Sequence, residues 1–184
     1  MSTRILGIDP GLTRCGIGLI ELGASRRVRL LEVDTLRSEP SEELTARVGR
    51  IGLRIESVIE QHRPQVIASE RVFSQQNVST VMGTAQISGA VLMLAHKHGI
   101  PVVMYTPTQV KAAVTGSGRA DKNQVGFMVA KILGLTEVPK PADAADSLAI
   151  AICHAWRSPA ATESTNLTSA QKAWLAAERA AKTK

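Results

Sequence analysis

The chain has 184 residues, 44% of them apolar and 3% aromatic, which is enough for one buried core and a single domain. Lysine and arginine number 22 against 16 acidic residues, and the resulting charge of +6 favours polyanionic partners without naming one. Two cysteines, Cys15 and Cys153, exclude a disulfide framework and a CxxC zinc motif; with no membrane-length apolar run and no signal-peptide pattern, the expectation is a soluble cytoplasmic protein.

In chain order, Ile5, Leu6 and Ile8 predict a short strand that Pro10-Gly11 ends abruptly. Asp9 is left at its carboxyl end, the edge where open α/β sheets bind ligands. Asp-Pro-Gly is also good turn chemistry, so this segment alone leaves both readings open. Residues 15–22 and 28–33 read as two more strands joined by short turns, an antiparallel meander over residues 3–37. Leu44, Val48, Ile51, Ile55, Val58 and Ile59 then recur at helical spacing. Ser41 is the expected N-cap, Glu42 and Glu43 the acidic first turn, and Pro64 the stop. Residues 65–70 form a fourth strand ending in Glu70, and a strand–helix–strand crossover sets it parallel to others in the sheet.

A helix over 77–98 is rich in small residues, with Gly83, Ala85, Ser88, Gly89 and Ala90. Such residues lower helix propensity, so they mark close approach by another element, either the chain's own sheet or a second subunit. Residues 102–105 make a fifth strand, and 107–119 read as an irregular stretch carrying Lys111 and Arg119. Asp121 and Gln124 form a capping arrangement that opens a helix to about Leu133. A last helix begins near Ala142; residues 158–184 read as a polar linker and a short helical tail.

Asp143 and Asp146 lie three positions apart, on one face of that last helix. Ala144, Ala145, Leu148 and the run Ala149–Ile152 make it otherwise apolar, so it is expected to be buried. Carboxylates in such a setting need a cation, a donor or a raised pKa. Asp9, Glu70, Asp143 and Asp146 thus offer oxygen ligands from three elements, a set suited to Mg²⁺. Two such ions about 4 Å apart activate water and stabilise the leaving oxygen in phosphodiester hydrolysis.

Three segments carry a family resemblance: Gly7–Gly11, Glu70–Phe73 and Ala142–Ala151. In order and spacing, over residues 3–157, they resemble the three acidic motifs of the RuvC family of bacterial Holliday-junction resolvases. The resemblance implies a ribonuclease H-like fold, a mixed five-stranded sheet flanked by helices. It also implies a homodimer, working with the RuvA–RuvB branch-migration complex, that nicks four-way DNA symmetrically in recombination and repair. Asp9, Glu70, Asp143 and Asp146 would then be the catalytic ligands of Mg²⁺, with Mn²⁺ as a substitute. Lys111 and Lys122 match the segments bearing two DNA-contacting lysines, and Arg119 lies beside them. Phe73 matches an aromatic that stacks on opened bases, whereas Arg71 stands where the familiar pattern has Gln, so the local DNA contacts are expected to differ. His154, three turns beyond Asp143, is expected to be structural, and His62, His96 and His98 to sit at helix ends.

Other classes compete. Gly7-Ile8-Asp9-Pro10-Gly11-Leu12-Thr13 also fits the phosphate turn of sugar-kinase and actin-like ATPases, but no second phosphate motif follows. A ribonuclease H-like RNA-processing nuclease shares the fold, and a catalytically silent junction-binding scaffold would not need all four carboxylates.

Overall fold

A computed structural model describes residues 2–71 and 78–157. The expected meander is there: β1 (Thr3–Asp9), β2 (Arg14–Leu22) and β3 (Val28–Arg37), with a single 3-10 turn at Ala24–Arg26 between the last two. Helix α1 (Leu44–His62) leads to β4 (Val66–Glu70), α2 (Val78–Lys97) to β5 (Val102–Tyr105), and α3 (Pro107–Thr115), α4 (Lys122–Leu133) and α5 (Ala142–Arg157) follow. The strands form one mixed sheet in the order β3-β2-β1-β4-β5. β1 pairs antiparallel with β2 and parallel with β4, in a register that sets Ile8 opposite Ser69. One step further along, Asp9 and Glu70 come out at the same edge.

Alternate side chains divide the core. Leu6, Ile8, Ile17 and Leu19 face α1 and α2, where Ile51, Ile55, Val58, Ile87 and Val91 cover them. Ile5, Ile20 and Ala68 face the other layer, built from α3, α4 and α5. On that second face the strands carry glycine where α5 crosses. A Cβ at Gly7 would overlap the Ser147 carbonyl oxygen and come within 2.9 Å of the Ala151 Cβ. At Gly16 it would overlap the Asp143 carbonyl, and at Gly18 it would lie 2.8 Å from the Leu148 nitrogen. On the helix side Ser147 and Ala151 are small where they meet Gly7, so α5 seats directly on the sheet backbone. This seating brings Asp143 and Asp146 to the edge occupied by Asp9.

Two elements differ from expectation at their starts. The N-cap of α1 is Glu43, whose side chain accepts from the Ala46 nitrogen at 3.2 Å, rather than Ser41. Glu42 is drawn into the preceding turn, where it accepts from the Glu39 nitrogen at 2.6 Å and pairs with Arg50. The stretch after β5 is a helix, α3, and not irregular. Thr106 and Gln109 form a reciprocal capping box, Pro107 sits in the first turn, and Gly116 closes the helix at φ +81°. The Asp121–Gln124 box opens α4 as expected. An Asp121→Ala change should lower stability by about 1 kcal/mol through loss of that cap, measurable as a reduced urea midpoint; an unchanged midpoint would show the helix start is held by its neighbours instead.

The small residues of α2 do not act together. Gly83 packs against Leu12 of the β1–β2 turn and Ser88 is buried, whereas Gly89 meets nothing within 4 Å of a built Cβ. Met82, Leu92 and Met93 are 55%, 43% and 57% exposed, leaving an apolar face on solvent. No helix among the described residues is long and apolar enough to cross a membrane.

Candidate active site

Four carboxylates from three elements converge at the edge where β1 and β4 end. Asp9 closes β1, Glu70 closes β4, and Asp143 and Asp146 occupy the first turns of α5. The rest of α5 is largely buried, but these two side chains keep 19% and 27% exposure because they point out over the sheet edge. They line two adjoining cavities. One, of about 590 Å³, is bounded by Asp9, Asp143, Lys122 and the turn Pro10–Arg14. The other, of about 290 Å³, is bounded by Asp9, Glu70, Asp146, Lys111 and Lys122.

The electrostatics follow from crowding like charges at a dry edge. Burial, then Glu70, Asp146 and Asp143 in turn, push the Asp9 carboxyl up to about 7, with Lys122 opposing. Glu70 is likewise raised, chiefly by burial and then by Asp146, while Lys122 and Lys111 pull it down. Lys122 Nζ lies 3.2 Å from Asp146 Oδ2, and that carboxylate holds its ammonium above the usual lysine range. Arg14 Nε lies 3.6 Å from Asp143 Oδ2. Both cations are well exposed, so each pair alone adds little stability. Their value lies in charge placed at the mouth of an acidic site.

This donor set suits hard divalent cations: it is all oxygen, and the most buried member carries a charge opposed by its neighbours. Among the described residues no three of the four carboxylates bring one oxygen each within 4.8 Å of one another. The group that does meet the 4.8 Å spacing is Glu56, Glu60 and His98, toward the opposite edge of the sheet. There Glu56 is already met by Lys97 at 2.8 Å and His98 at 3.0 Å, a tie between α1 and the end of α2.

The other expected positions divide. Lys111 and Lys122 face the carboxylate cavities, whereas Arg119 is exposed and lines neither. Phe73 lies outside the described residues. Arg71 is exposed, its backbone nitrogen donating to the Tyr105 carbonyl at 2.8 Å. His154 lies away from both cavities, its Nδ1 2.8 Å from the Tyr105 hydroxyl, and burial lowers its pKa. His62 and His98 do more than end helices, pairing with Glu32 at 2.7 Å and Glu56 at 3.0 Å. Sequence reasoning passed over Arg14. The signal was its place just past the β1 turn, since an antiparallel neighbour begins at the edge where the first strand ends.

The family model described as "Crossover junction endodeoxyribonuclease RuvC" matches residues 5–154. A protein of that description from Clavibacter michiganensis subsp. michiganensis is 51% identical, over 96% of this chain and 97% of its own length. Another from Rhodococcus jostii is 58% identical, over 85% of this chain and 82% of its own. A solved structure, "T. thermophilus RuvC in complex with Holliday junction substrate", superposes with a TM-score of 0.79 at 40% identity, covering 83% of this chain and 93% of that one.

Proposed function

The chain belongs to the RuvC family of crossover junction endodeoxyribonucleases, and from that premise we propose that it resolves four-way DNA junctions by two symmetric, metal-dependent nicks. The observation that carries this reading is the gathering of Asp9, Glu70, Asp143 and Asp146 around two cavities flanked by lysines. In the proposal these four hold two Mg²⁺ ions, with Mn²⁺ able to replace them. When bound, the ions would activate the attacking water and stabilise the leaving oxygen. The chain's own contribution is placement. α5 fixes two carboxylates against the glycine seat, β1 and β4 fix the others, and Lys111 and Lys122 draw the strand's phosphates to them. The nuclease domain comprises residues 1–157, followed by a polar tail over 158–184. A cytoplasmic setting, with RuvA and RuvB as branch-migration partners, completes the proposal. Neither an RNA-processing nor a silent scaffold role is favoured by relatives that carry the endodeoxyribonuclease description over nearly their whole length. The direct test is a labelled mobile four-way junction with Mg²⁺: paired nicks yielding two ligatable duplexes are expected, and their absence would reject the function.

DNA contact is assigned to Lys111, Arg119, Lys122 and Phe73. Neutralising any of the three cations should reduce the slope of log affinity against log salt by about one unit. Lys111 and Lys122 face the cavities and Arg119 does not, so an unchanged slope would count most heavily against the first two. Phe73→Ala should leave the slope alone and slow nicking of fully paired junctions, with preopened bases restoring it.

A two-fold substrate calls for a two-fold enzyme, so we assign the homodimer contact to the open face of α2, with Met82, Gly89, Leu92 and Met93. Gly89 is the position to probe, being exposed, whereas the neighbouring Ala90 is partly buried. A Cβ at Gly89 would have no neighbour within 4 Å among the described residues, and replacing a mid-helix glycine favours the helix by up to about 1 kcal/mol. Gly89→Arg should therefore fold well yet sediment as a monomer that no longer makes paired nicks. A dimeric Gly89→Arg protein would move the interface elsewhere.

A further inference from the structure

Helix α1 reaches the catalytic edge through one buried cation that the carboxylates do not use. Arg47 is only 8% exposed. Its Nε donates to Ser38 Oγ at 2.8 Å and its Nη2 to Thr13 Oγ1 at 3.2 Å. Ser38 passes the connection on, its hydroxyl donating to the Leu12 carbonyl at 2.5 Å and its backbone nitrogen to the Thr13 carbonyl at 3.1 Å. Every acceptor in this network is neutral. A guanidinium this buried is ordinarily paired with a carboxylate, because an uncompensated charge in the interior is costly. Here no carboxylate oxygen lies within 4.0 Å of it among the described residues. Glu42, which acts on it from a distance, is held by Arg50 at 2.6 Å.

Part of the guanidinium's capacity is unused, and the residue lines the larger cavity. Nη1 has no hydrogen-bond partner among the described residues, and it is not among the side-chain atoms sealed from solvent without one. Arg47 lines the 590 Å³ cavity with Thr13, Arg14, Thr80 and Thr84, and Asp9 and Asp143 belong to the same cavity. Arg14 is partly committed to Asp143 and Lys122 to Asp146, which leaves Arg47, among the described residues, as the cation lining this cavity with no anionic partner of its own. An anion entering beside the carboxylates therefore meets one preorganised guanidinium, with the Thr13 hydroxyl, which accepts from it, alongside.

We propose that Arg47 is a phosphate receptor, taking a non-bridging oxygen of a phosphate that neighbours the scissile one on the cut strand. The inference rests on the resolvase reading and adds to it a fixed second point of attachment. Two anchored phosphates define the strand's direction across the carboxylates, which one anchor alone does not. Arg47 is accordingly a positioning residue.

The experiment places single uncharged methylphosphonates at each position flanking the cut, and reads junction binding without metal and nicking with Mg²⁺. For the parent protein, one flanking position should weaken binding by about tenfold or more, the usual loss for a charge-assisted hydrogen bond. Arg47→Met should lose a similar factor on the unmodified junction, become indifferent to the modification at that position, and lower the salt slope by about one unit. Ser38→Ala separates receptor from clasp: it removes the Nε acceptor but keeps the charge, so the slope should stay at the parental value. If Arg47→Met fails to fold, Arg47→Lys takes its place, with the parental slope retained and the position-specific sensitivity reduced. Additive losses for Arg47→Met with every methylphosphonate, or a parent scan in which no flanking position matters, would overturn the receptor role. A parent protein that binds but never nicks would instead reject the resolvase reading, since the binding arms are read without cleavage.

Discussion

An Asp9→Asn protein binds a four-way junction as tightly as its parent and nicks it about a thousandfold more slowly. The expected factor corresponds to several kcal/mol of transition-state stabilisation lost if Asp9 is the metal ligand proposed above. Binding survives because phosphate contacts come from other side chains. The same change leaves a thermodynamic mark. Asp9 has a carboxyl pushed up to about 7, from 3.8 in an unstructured chain. Between those values the folded protein keeps a proton that the unfolded chain has released. Stability of the metal-free parent therefore falls as pH rises from about 4 to about 7 and levels off above that, by an amount on the order of 4 kcal/mol. The Asn variant lacks this loss, so in metal-free buffer it should unfold at higher urea than the parent at pH 8, and the gap should close near pH 4. Adding Mg²⁺ at pH 8 should raise the parent's midpoint and move the variant's much less. Urea curves for the two proteins that run parallel across this pH range would remove Asp9 from the buried acidic centre, whatever the nicking assay showed.

Gly16→Ala should be nearly as damaging by a different route. The added Cβ would overlap the carbonyl oxygen of Asp143, a backbone atom that cannot step aside without moving α5. Overpacking of this kind costs about 1–3 kcal/mol, or roughly 2–12 °C in melting temperature for a chain this long. Whatever portion of the strain α5 relieves by shifting displaces Asp143 and Asp146 from Asp9, and nicking should drop to near background in protein that is still folded. Gly7→Ala, which would meet the Ser147 carbonyl, should behave alike. Gly52→Ala supplies the contrast. It lies within α1 with nothing inside 4 Å, so it should be neutral or stabilising by up to about 1 kcal/mol and leave nicking untouched. Equal activity for Gly16→Ala and Gly52→Ala would mean that the close seating of α5 has no part in aligning the carboxylates.

Asp9, Glu70, Asp143 and Asp146 were legible in the sequence because each ends or opens an apolar segment, where a charge is conspicuous. The Asp121–Gln124 box was legible because both halves lie within four residues. Helix α3 carries the same kind of local signature in Thr106, Pro107 and Gln109, but Gly116 and Gly118 just beyond it read as loop. The seat for α5 was harder to see. Gly7, Gly16 and Gly18 share a face only once Gly7 is set opposite Gly18, and that register depends on pairing between strands. The small residues of α2 looked like one stripe in the chain, yet the folded helix turns Gly83 inward to Leu12 and Gly89 out to solvent. Arg47 was hidden by ordinary helical spacing. Nothing local distinguishes a buried arginine from its exposed neighbour Arg50 until Ser38 and Thr13 fold over it.

The glycine seat has a consequence for when activity can arise. Asp9 and Glu70 belong to strands made early, whereas Asp143 and Asp146 ride on the last described helix, more than a hundred residues after β1. Closing so long a loop costs entropy that only the full docking of α5 returns, and contacts of such separation form late. A chain still emerging from the ribosome can complete the meander and the α1 layer while half its acidic centre has not been synthesised. If the four carboxylates are the cutting centre proposed above, nuclease activity is postponed until the domain is essentially finished, and a truncated product ending before α5 carries no such centre to release on cellular DNA.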